Sequence, residues 1–446
     1  MRKETDRTEG DVNASPLRSH WIEECVSPET RALLEEDSRY FLHQSLSTPC
    51  LNALESCEGS LIRDMDGREY LDFHGNSVHQ VGYGNPRVIE AVKKQLDLLP
   101  FCPRRYTNGV AVALARRLAL LAPGDLNKVL LAPAGALAVS MALKLARVAT
   151  GRFKTISFWG AFHGATLDAI SVGGEAMFRD GIGPLLPGAI HVAPPEDCRG
   201  DDNALSNVGQ IESVMEREGD IAALIAEPIR CTDVTRPGKA YWRRVRELCD
   251  RHGALLIFDE VPTCLGRTGV LFACEHYDVV PDILCIGKGL GGGVMPMAAV
   301  IARDGLDVAA PFSLGHFTHE KSPVGCAAAL ATLDCIEEEG LVERSRLMGA
   351  QLLESLRVLQ KRHACIRELR GVGLLVGVEL GEDPATGRAA GDLAEQMLYA
   401  CLRRGLSFKV SGGKTLTLAP PLTVTGEELD RAVGIIDASL NEILAQ

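Results

Sequence analysis

The sequence predicts an α/β protein whose larger domain holds a mainly parallel β-sheet covered by helices on both faces. Two segments with helical periodicity, 110–123 and 136–150, are accompanied by short runs rich in Ile, Val and Leu. Strands that are buried on both faces lack polar alternation, and parallel sheets flanked by helices contain such strands. The runs that we interpret as strands are 128–132, 154–158, 221–226, 254–258, 283–286 and 297–302.

The rest of the chain predicts a smaller α+β domain. A long helical segment after about residue 325 precedes strand-like stretches around 366–380 and 415–422 and a helical C-terminus. We expect the first twenty or so residues to be mobile or to wrap a partner subunit. The predicted divisions are an N-terminal segment with part of the small domain (1–90), the large domain (91–325) and the C-terminal small domain (326–446).

Composition and charge argue against several classes of function. The formal net charge of −12 and a pI near 5.5 do not favour binding to nucleic acid or to an anionic membrane surface. The 14 cysteines are scattered, without a CxxC pair or a cluster at zinc spacing, so we expect no metal site and a reducing compartment. The polar N-terminus lacks the apolar core of a signal peptide, and no apolar run is long enough to span a bilayer, so we expect a cytoplasmic protein.

Two charged residues follow predicted central strands. Asp259 ends the run LLIFD, and Lys288 stands in a glycine-rich turn after ILCI. Ligand sites of open α/β sheets lie at the carboxyl ends of strands. Taken alone, the aspartate is equally consistent with a helix cap, a metal ligand or a salt-bridge partner, and the lysine with a surface residue. Their spacing within one βαβ-sized unit indicates one shared ligand.

Pyridoxal phosphate (PLP) requires this pair of residue types. Its ring withdraws electrons effectively when the ring nitrogen is protonated, which a buried carboxylate favours, and its aldehyde is held by a lysine amine as a Schiff base. The cation that Asp259 faces would then arrive with the cofactor. The GLGGG run lacks the GxGxxG spacing of a dinucleotide loop, and the sequence contains no P-loop.

The segment FDEVPTCLGRTG, followed by PDILCIGKGLGGGVMPMAAV, resembles the signature of the class III PLP enzymes of fold type I. The resemblance covers roughly residues 40 to 440. It implies a large parallel-sheet domain, a small α+β domain built from both chain ends, and a homodimer with active sites at the subunit interface. Whether two dimers pair is left open.

The resemblance also implies roles for individual residues. Lys288 is the Schiff-base lysine and Asp259 the partner of the ring nitrogen, and both are the predicted catalytic residues. Val261 packs under the ring, and Phe162, next to His163 in WGAFHGAT, covers its other face. The remaining predicted cofactor contacts are Gly135 and Ala136, whose backbone N–H groups bind the phosphate at a helix start, Glu227, and Thr318, which reaches the phosphate from the neighbouring subunit.

Three departures from the family pattern bear on the substrate. Pro262 replaces a glutamine that faces the cofactor's phenolic oxygen, and the phosphate turn, residues 134–138, lacks two polar side chains. Thr417 stands where aminotransferases of this class carry an arginine for the substrate α-carboxylate. An enzyme that binds glutamate or pyruvate would be handicapped by this change, whereas one that binds a simple primary amine would not.

The substrate-side segments are also unusual. Residues 73–86, 101–108 and 318–323 contain several cationic and polar side chains, which favour an anion bulkier than carboxylate, such as phosphonate or phosphate. The predicted substrate-binding residues among them are Asn76, His79, Arg104 and Arg105; His319 and Lys321 add to the same basic character.

As a set, these segments resemble a phosphonate-catabolic subgroup of class III, the (R)-1-hydroxy-2-aminoethylphosphonate ammonia-lyases. The expected reaction removes a proton from the amine-bearing carbon and eliminates the β-hydroxyl, giving phosphonoacetaldehyde and ammonia; Lys288, or else His79, protonates the leaving group. Two alternatives remain: an aminotransferase for an ω-amine such as 2-aminoethylphosphonate with a keto acid, and a phospho-lyase for an amino-alcohol phosphate. A catalytically silent dimer is disfavoured because Lys288 and Asp259 are both present.

Overall fold

The computed structural model describes residues 15–45, 47–195, 206–384 and 387–445. The chain divides into two compact units. The larger unit comprises Asn85–Cys231 and Thr235–Val342, and the smaller unit contains the chain up to Gly84, Thr232–Val234 and the chain from Glu343. These divisions differ from the expected ones at residues 90 and 325, because the helices at 86–98 and 323–338 both belong to the larger unit.

Fifteen strands are present in the described residues. In chain order they are β1 (Leu54–Glu58), β2 (Leu61–Asp64), β3 (Glu69–Asp72), β4 (Leu126–Ala132), β5 (Lys154–Phe158), β6 (Ala189–Val192), β7 (Ile221–Ala226), β8 (Leu255–Asp259), β9 (Ile283–Ile286), β10 (Ala298–Arg303), β11 (Ile366–Val372), β12 (Leu375–Leu380), β13 (Leu406–Ser407), β14 (Lys409–Ser411) and β15 (Thr415–Leu418).

The described part of the chain contains thirteen α-helices. They are α1 (Pro16–Cys25), α2 (Pro28–Tyr40), α3 (Pro86–Leu98), α4 (Gly109–Leu121), α5 (Gly135–Thr150), α6 (Leu167–Val172), α7 (Ala176–Arg179), α8 (Ser206–Glu218), α9 (Lys239–His252), α10 (Pro323–Glu338), α11 (Leu341–Arg362), α12 (Ala390–Arg403) and α13 (Gly426–Leu444).

The larger unit is built on a seven-stranded sheet in the order β4-β10-β9-β8-β7-β5-β6. Five strands, β9, β8, β7, β5 and β6, run parallel to one another. Strand β10 is antiparallel to both of its neighbours, β4 and β9. The prediction of a mainly parallel sheet is therefore confirmed, and all six predicted runs are strands. Sequence patterning missed the reversed direction of β10, because an apolar run carries no sign of its direction.

Helix α5 packs on this sheet and forms the centre of the core. Its sequence is rich in Ala, Leu and Val, and the face with small side chains lets the helix lie close to the strands. The buried cluster that joins helix and sheet includes Ala138, Val139, Met141, Ala142, Ile257, Ile283, Cys285 and Val300. Such a close-packed layer gives the strand ends that follow it a fixed geometry.

The smaller unit contains two four-stranded sheets. Their orders are β1-β2-β3-β13, in which β3 and β13 are parallel, and β11-β12-β15-β14, which is antiparallel throughout. Helix α13 begins at a capping box formed by Thr425 and Glu428. The α+β character expected for this part of the chain is confirmed.

One helical expectation needs correction, and the N-terminal segment is described only in part. The long helix expected after residue 325 is two helices, α10 and α11, separated at Gly340, whose φ of 61° ends a helix readily. Of the first twenty residues, 1–14 lie outside the described residues, but the chain from Pro16 is the helix α1, with Ser15 as its N-cap. Among the described helices, none is both long enough and apolar enough to cross a bilayer.

Candidate active site

Asp259 and Lys288 lie at the carboxyl ends of two neighbouring parallel strands. Asp259 is the last residue of β8 and is paired in register with Cys285 of β9, three residues before Lys288. Lys288 opens a short 3-10 turn and has a left-handed backbone, with φ of 46°. A lysine rarely adopts this conformation, and such outliers concentrate at functional sites.

The Asp259 carboxylate is buried and bound by two donors. Its Oδ2 accepts a hydrogen bond from Nδ1 of His163 (2.9 Å), and its Oδ1 accepts one from the backbone N–H of Val261 (3.1 Å). Burial by itself would lower the pKa of His163, but the hydrogen bond and charge of Asp259 outweigh it and raise that pKa above its ordinary value. The two donors therefore fix the position and orientation of the Asp259 carboxylate at the end of β8.

The other ring nitrogen of His163 is a buried polar atom without a partner in the described structure. Its side chain is fully enclosed, and Nε2 makes no hydrogen bond among the described residues. Buried polar atoms are almost always satisfied in folded proteins, by protein, water or ligand. Nε2 belongs to His163, the residue that binds Asp259 at the end of β8. The carboxyl end of β8 is therefore a place where a further polar group, such as that of a ligand, would fit.

The N-terminus of helix α5 is open to an anion. Its N-cap, Ala134, has no side-chain acceptor for the first N–H groups. A Cβ on Gly135 would come within 2.9 Å of Val261, and one on Gly164 within 2.5 Å of the Ala136 side chain. These close approaches bring the helix start, the second residue after β8 and the Phe162–Gly164 segment together, so the predicted contacts Gly135, Ala136 and Val261 are neighbours.

Glu227 holds the segment that carries Phe162. Its two carboxylate oxygens accept the backbone N–H groups of Phe162 (3.2 Å) and Cys231 (3.3 Å). Burial raises the pKa of Glu227, although the charges of His163 and Arg230 oppose the shift. The Phe162 ring contacts Phe178, with centroids 4.6 Å apart. Glu227 thus orders the loop that carries Phe162, the predicted ring-covering aromatic.

The strand ends of the larger unit fit PLP. The orphaned Nε2 of His163 and the uncapped start of α5 leave polar capacity in a buried setting. Lys288 offers an amine for an aldehyde, Asp259 a carboxylate for a basic ring nitrogen, and the α5 N–H groups a site for a phosphate. Each of these groups belongs to the same compact unit.

The predicted substrate residue Arg104 has a partner that the sequence did not single out. Its Nη2 donates to Nε2 of His316 (2.5 Å), two residues before Thr318. Arg104, Arg105 and Thr318 are all exposed in the single chain. Only a fold can bring positions more than two hundred residues apart together, so no sequence signal pointed to His316 beyond its place in the GHFT segment.

The predicted substrate residues of the smaller unit differ from each other in exposure. Asn76 is exposed, in a turn where Gly75, Asn76 and Ser77 all have positive φ. His79 is wholly buried, its Nε2 donates to the carbonyl of Asp72 (3.0 Å), and its ring fills the space that a Cβ on Gly75 would need. This burial argues against contact of His79 with substrate, and we assign its imidazole to holding the turn.

The Thr417 side chain makes its hydrogen bonds within the smaller unit. Its hydroxyl donates to the carbonyl of Thr232 (2.6 Å) and lies 3.0 Å from Oγ of Ser411. The residue is 5% exposed on strand β15. The position that the family uses for a carboxylate-binding arginine is therefore a buried structural hydroxyl in this chain.

A fold of this topology, with an amine and a buried carboxylate at adjacent strand ends, defines a class of cofactor-dependent α/β enzymes. Residues 43–440 match the family model for class III aminotransferases. The chain belongs to the class III aminotransferase family.

Two relatives illustrate the range of this family. The chain is 48% identical to the (R)-1-hydroxy-2-aminoethylphosphonate ammonia-lyase of Vibrio splendidus, over 98% of the chain and 95% of that protein. It is 40% identical to the acetylornithine aminotransferase of Methanopyrus kandleri, over 84% of the chain and 91% of that protein.

Solved structures agree in fold. An (S)-enantioselective omega-transaminase from Thermomicrobium roseum superposes with a TM-score of 0.86 at 32% identity, covering 93% of the chain and 99% of that structure. An amine transaminase from an uncultivated Pseudomonas species, solved in its PLP-bound form, has a TM-score of 0.83 at 32% identity, covering 90% of the chain and 98% of that structure. The predicted fold class, PLP fold type I, is confirmed.

Proposed function

We propose that this protein is a PLP-dependent ammonia-lyase that converts (R)-1-hydroxy-2-aminoethylphosphonate into phosphonoacetaldehyde and ammonia. One observation carries the proposal: the 48% identity to a lyase of that name extends over 98% of the chain. The acetylornithine aminotransferase is 40% identical over 84%. The predicted function follows the more similar and more complete of these two relationships.

Thr417 supports a lyase over an aminotransferase. An amino acid or keto acid partner needs a cation for its carboxylate, and an arginine provides this in bidentate form. Thr417 is uncharged, and its hydroxyl is bound to Thr232. A lyase needs no second substrate, so the loss of this arginine leaves its reaction unimpaired.

Residues of the larger unit hold the cofactor. When bound, PLP supplies an electron sink that stabilises negative charge on the carbon beside the substrate amine. Lys288 Nζ binds the aldehyde covalently, and Asp259 keeps a proton on the ring nitrogen. The N–H groups at Gly135 and Ala136 bind the phosphate. Phe162 and Val261 cover the two ring faces, and Thr318 contributes to the phosphate site.

Lys288 also moves the protons of the reaction. Once the substrate amine has replaced it, Nζ removes a proton from the amine-bearing carbon and delivers one to the departing hydroxyl, since hydroxide is a poor leaving group. Because His79 is buried, we assign this second step to Lys288 and not to His79. The water lost is taken up again in hydrolysis, so the net products are phosphonoacetaldehyde and ammonia.

The substrate is oriented by its phosphonate group. Arg104 and Arg105 bind the phosphonate and so fix the orientation of the scissile carbon–oxygen bond. Asn76, exposed on the smaller unit, stays a predicted substrate contact. Anchoring of the end away from the amine explains how an enzyme can bind a substrate that has no carboxylate.

We also propose a cytoplasmic homodimer. The larger unit exposes large apolar side chains, among them Val112 at 54%, Leu120 at 73% and Phe312 at 59% exposure. Exposed apolar surface of this kind is typical of a protein–protein interface. Sedimentation should give twice the chain mass of 48.0 kDa, or four times if dimers pair; a monomer contradicts the proposal.

An assay without keto acid tests the function. Incubation with the aminophosphonate and PLP should release ammonia continuously, whereas an aminotransferase would release no ammonia and would stop after one equivalent of aldehyde, with the amino group retained on the enzyme. Lys288→Ala should abolish turnover, and Lys128→Ala, an exposed lysine paired with Asp307, should not. Borohydride reduction and peptide mapping should find the cofactor on Lys288. Keto-acid-dependent turnover without ammonia release would refute the lyase.

A further inference from the structure

We propose that residues 101–108 and 315–322 form one anion-binding element, here called the basic loop pair, in which His316 positions the Arg104 guanidinium for the substrate phosphonate. The inference rests on the proposed function and deepens it. It adds a positioning residue, His316, and explains how an enzyme of this family can select a phosphonate over a carboxylate.

Three contacts of different kinds join the two loops. Nη2 of Arg104 donates to Nε2 of His316 (2.5 Å), and Nδ2 of Asn108 donates to the carbonyl of Lys321 (3.2 Å). The ring of Phe101 meets the edge of His319, with centroids 5.2 Å apart. One contact could be incidental on a surface, but three between the same two segments indicate a single structural element.

The backbone of His316 is held in an unusual conformation. Its φ of 81° lies in the left-handed region, which costs a residue with a Cβ roughly 1–3 kcal/mol in general. Oε2 of Glu320 accepts the N–H groups of His316 (3.1 Å) and Phe317 (3.3 Å) and so stabilises this turn. Strain that is maintained by dedicated contacts indicates that the direction of the His316 side chain matters.

The charge of the loop pair suits a doubly charged anion. Residues 101–108 contain two arginines and no acid, and residues 315–322 contain His316, His319 and Lys321 with a single acid. That acid, Glu320, binds backbone N–H groups with one oxygen. Arginine and lysine donors therefore dominate, which favours a phosphonate with its three oxygens.

Both loops line one groove of about 610 Å³ in the larger unit, and Val112 and Phe312 of the proposed dimer surface line it as well, so in the proposed homodimer this groove would lie at the subunit interface. Arg104, His316 and Lys321 all contribute to its wall. Because a guanidinium has only donors, His316 Nε2 is the acceptor in this hydrogen bond. One N–H group of Arg104 then binds His316 and fixes the plane of the guanidinium. The other N–H groups of this guanidinium can bind two phosphonate oxygens.

Two substitutions at His316 separate its side chain from its backbone. His316→Gly removes the imidazole and tolerates the positive φ, whereas His316→Asn tolerates that φ and keeps an acceptor oxygen. For the lyase reaction, His316→Gly should raise KM about tenfold and change kcat by less than about twofold. His316→Asn should recover most of the loss.

A dead-end ligand reports on the anion site itself. The inhibition constant of ethylphosphonate should rise in parallel with KM in His316→Gly, while that of propionate should stay the same. Lys239→Met is the matched control, because Lys239 is an exposed lysine that does not line this groove and that pairs with Asp278 (3.0 Å). Cofactor absorbance and Tm confirm that each variant is loaded and folded.

Calorimetric titration of the holoenzyme with ethylphosphonate needs no turnover, and so separates this inference from the proposed function. Binding that His316→Gly weakens and His316→Asn restores supports the inference, even if no lyase activity is found. Lyase turnover with unchanged KM and unchanged ethylphosphonate affinity in His316→Gly overturns it and leaves the function standing. A fall in kcat alone, or failure of His316→Asn to restore binding, also overturns it.

Discussion

Glu260 should make the protein less stable as the pH rises from about 4.5 to about 7. Its side chain is 0% exposed, and burial raises the pKa of its carboxyl from 4.5 to about 7, although the N–H groups of Cys274 and Ala273 oppose the shift. In the unfolded chain the group loses its proton near its ordinary pKa. The folded chain therefore binds more protons in this interval, and its stability falls as the pH increases.

The size of the effect follows from the shift. At roughly 1.4 kcal/mol for each pH unit, a pKa raised from 4.5 to about 7 corresponds to about 3 kcal/mol of stability, present below pH 4.5 and lost above about pH 7. Glu260→Gln cannot ionise, so this part of the pH dependence should disappear. The glutamine amide also places its NH₂ group opposite a backbone N–H, so that two donors face each other. This lowers the stability of the folded protein by about 1–3 kcal/mol at every pH.

The quantity to compare is the slope of the free energy of unfolding with pH, and not its absolute value. Urea unfolding of the holoenzyme across this pH interval should give a falling curve for the wild type and a flatter one for Glu260→Gln. Infrared difference spectra should show a protonated carboxyl that titrates near pH 7 and is missing in the variant. Glu247→Gln, an exposed residue paired with Arg244, should keep the wild-type slope. Equal slopes for Glu260→Gln and wild type would refute the reasoning.

Three further substitutions test the site. Gly164→Ala should weaken cofactor retention on dialysis, because its Cβ would lie 2.5 Å from that of Ala136; Gly434→Ala, which meets nothing within 4 Å, is the control and should retain it. Thr417→Val should lower the free energy of unfolding by about 1–3 kcal/mol and leave kcat unchanged, because the Thr232 carbonyl loses the hydroxyl that donates to it. A loss of kcat without a loss of stability would instead indicate that Thr417 contacts the substrate. His79→Phe keeps a ring but loses its hydrogen bond, so unfolding should become easier by a similar amount, and lost activity at full stability would instead favour substrate contact.

The parts of the site that depend on strand ends could be predicted from the sequence. A buried strand is a short apolar run, and the first charged residue after it marks its end, so Asp259 and Lys288 were visible as a pair. Their adjacency in the sheet follows from the parallel register of β8 and β9. The assignment of roles to the other cofactor contacts needed the family resemblance, since Phe162 or Gly135 alone would suit an ordinary core or turn.

Contacts between distant loops could not be predicted. The hydrogen bond between Arg104 and His316 joins exposed residues, and exposed histidines carry no periodic pattern. The burial of His79 could not be predicted either, because a histidine in a polar segment gave no sign that it would be wholly buried beneath Gly75. In both cases the position of the side chain depends on tertiary packing, which local sequence patterns do not report.

The two adjacent carboxylates at the end of β8 have different roles because their surroundings differ. Successive residues of a strand point to opposite faces of the sheet. Asp259 meets the imidazole of His163 and one backbone N–H, whereas Glu260 meets the N–H groups of Ala273 and Cys274 and the Cys274 side chain. Glu260 thus anchors the turn that begins at Ala273, whereas Asp259 keeps the contact with His163 that suits its proposed role toward the cofactor.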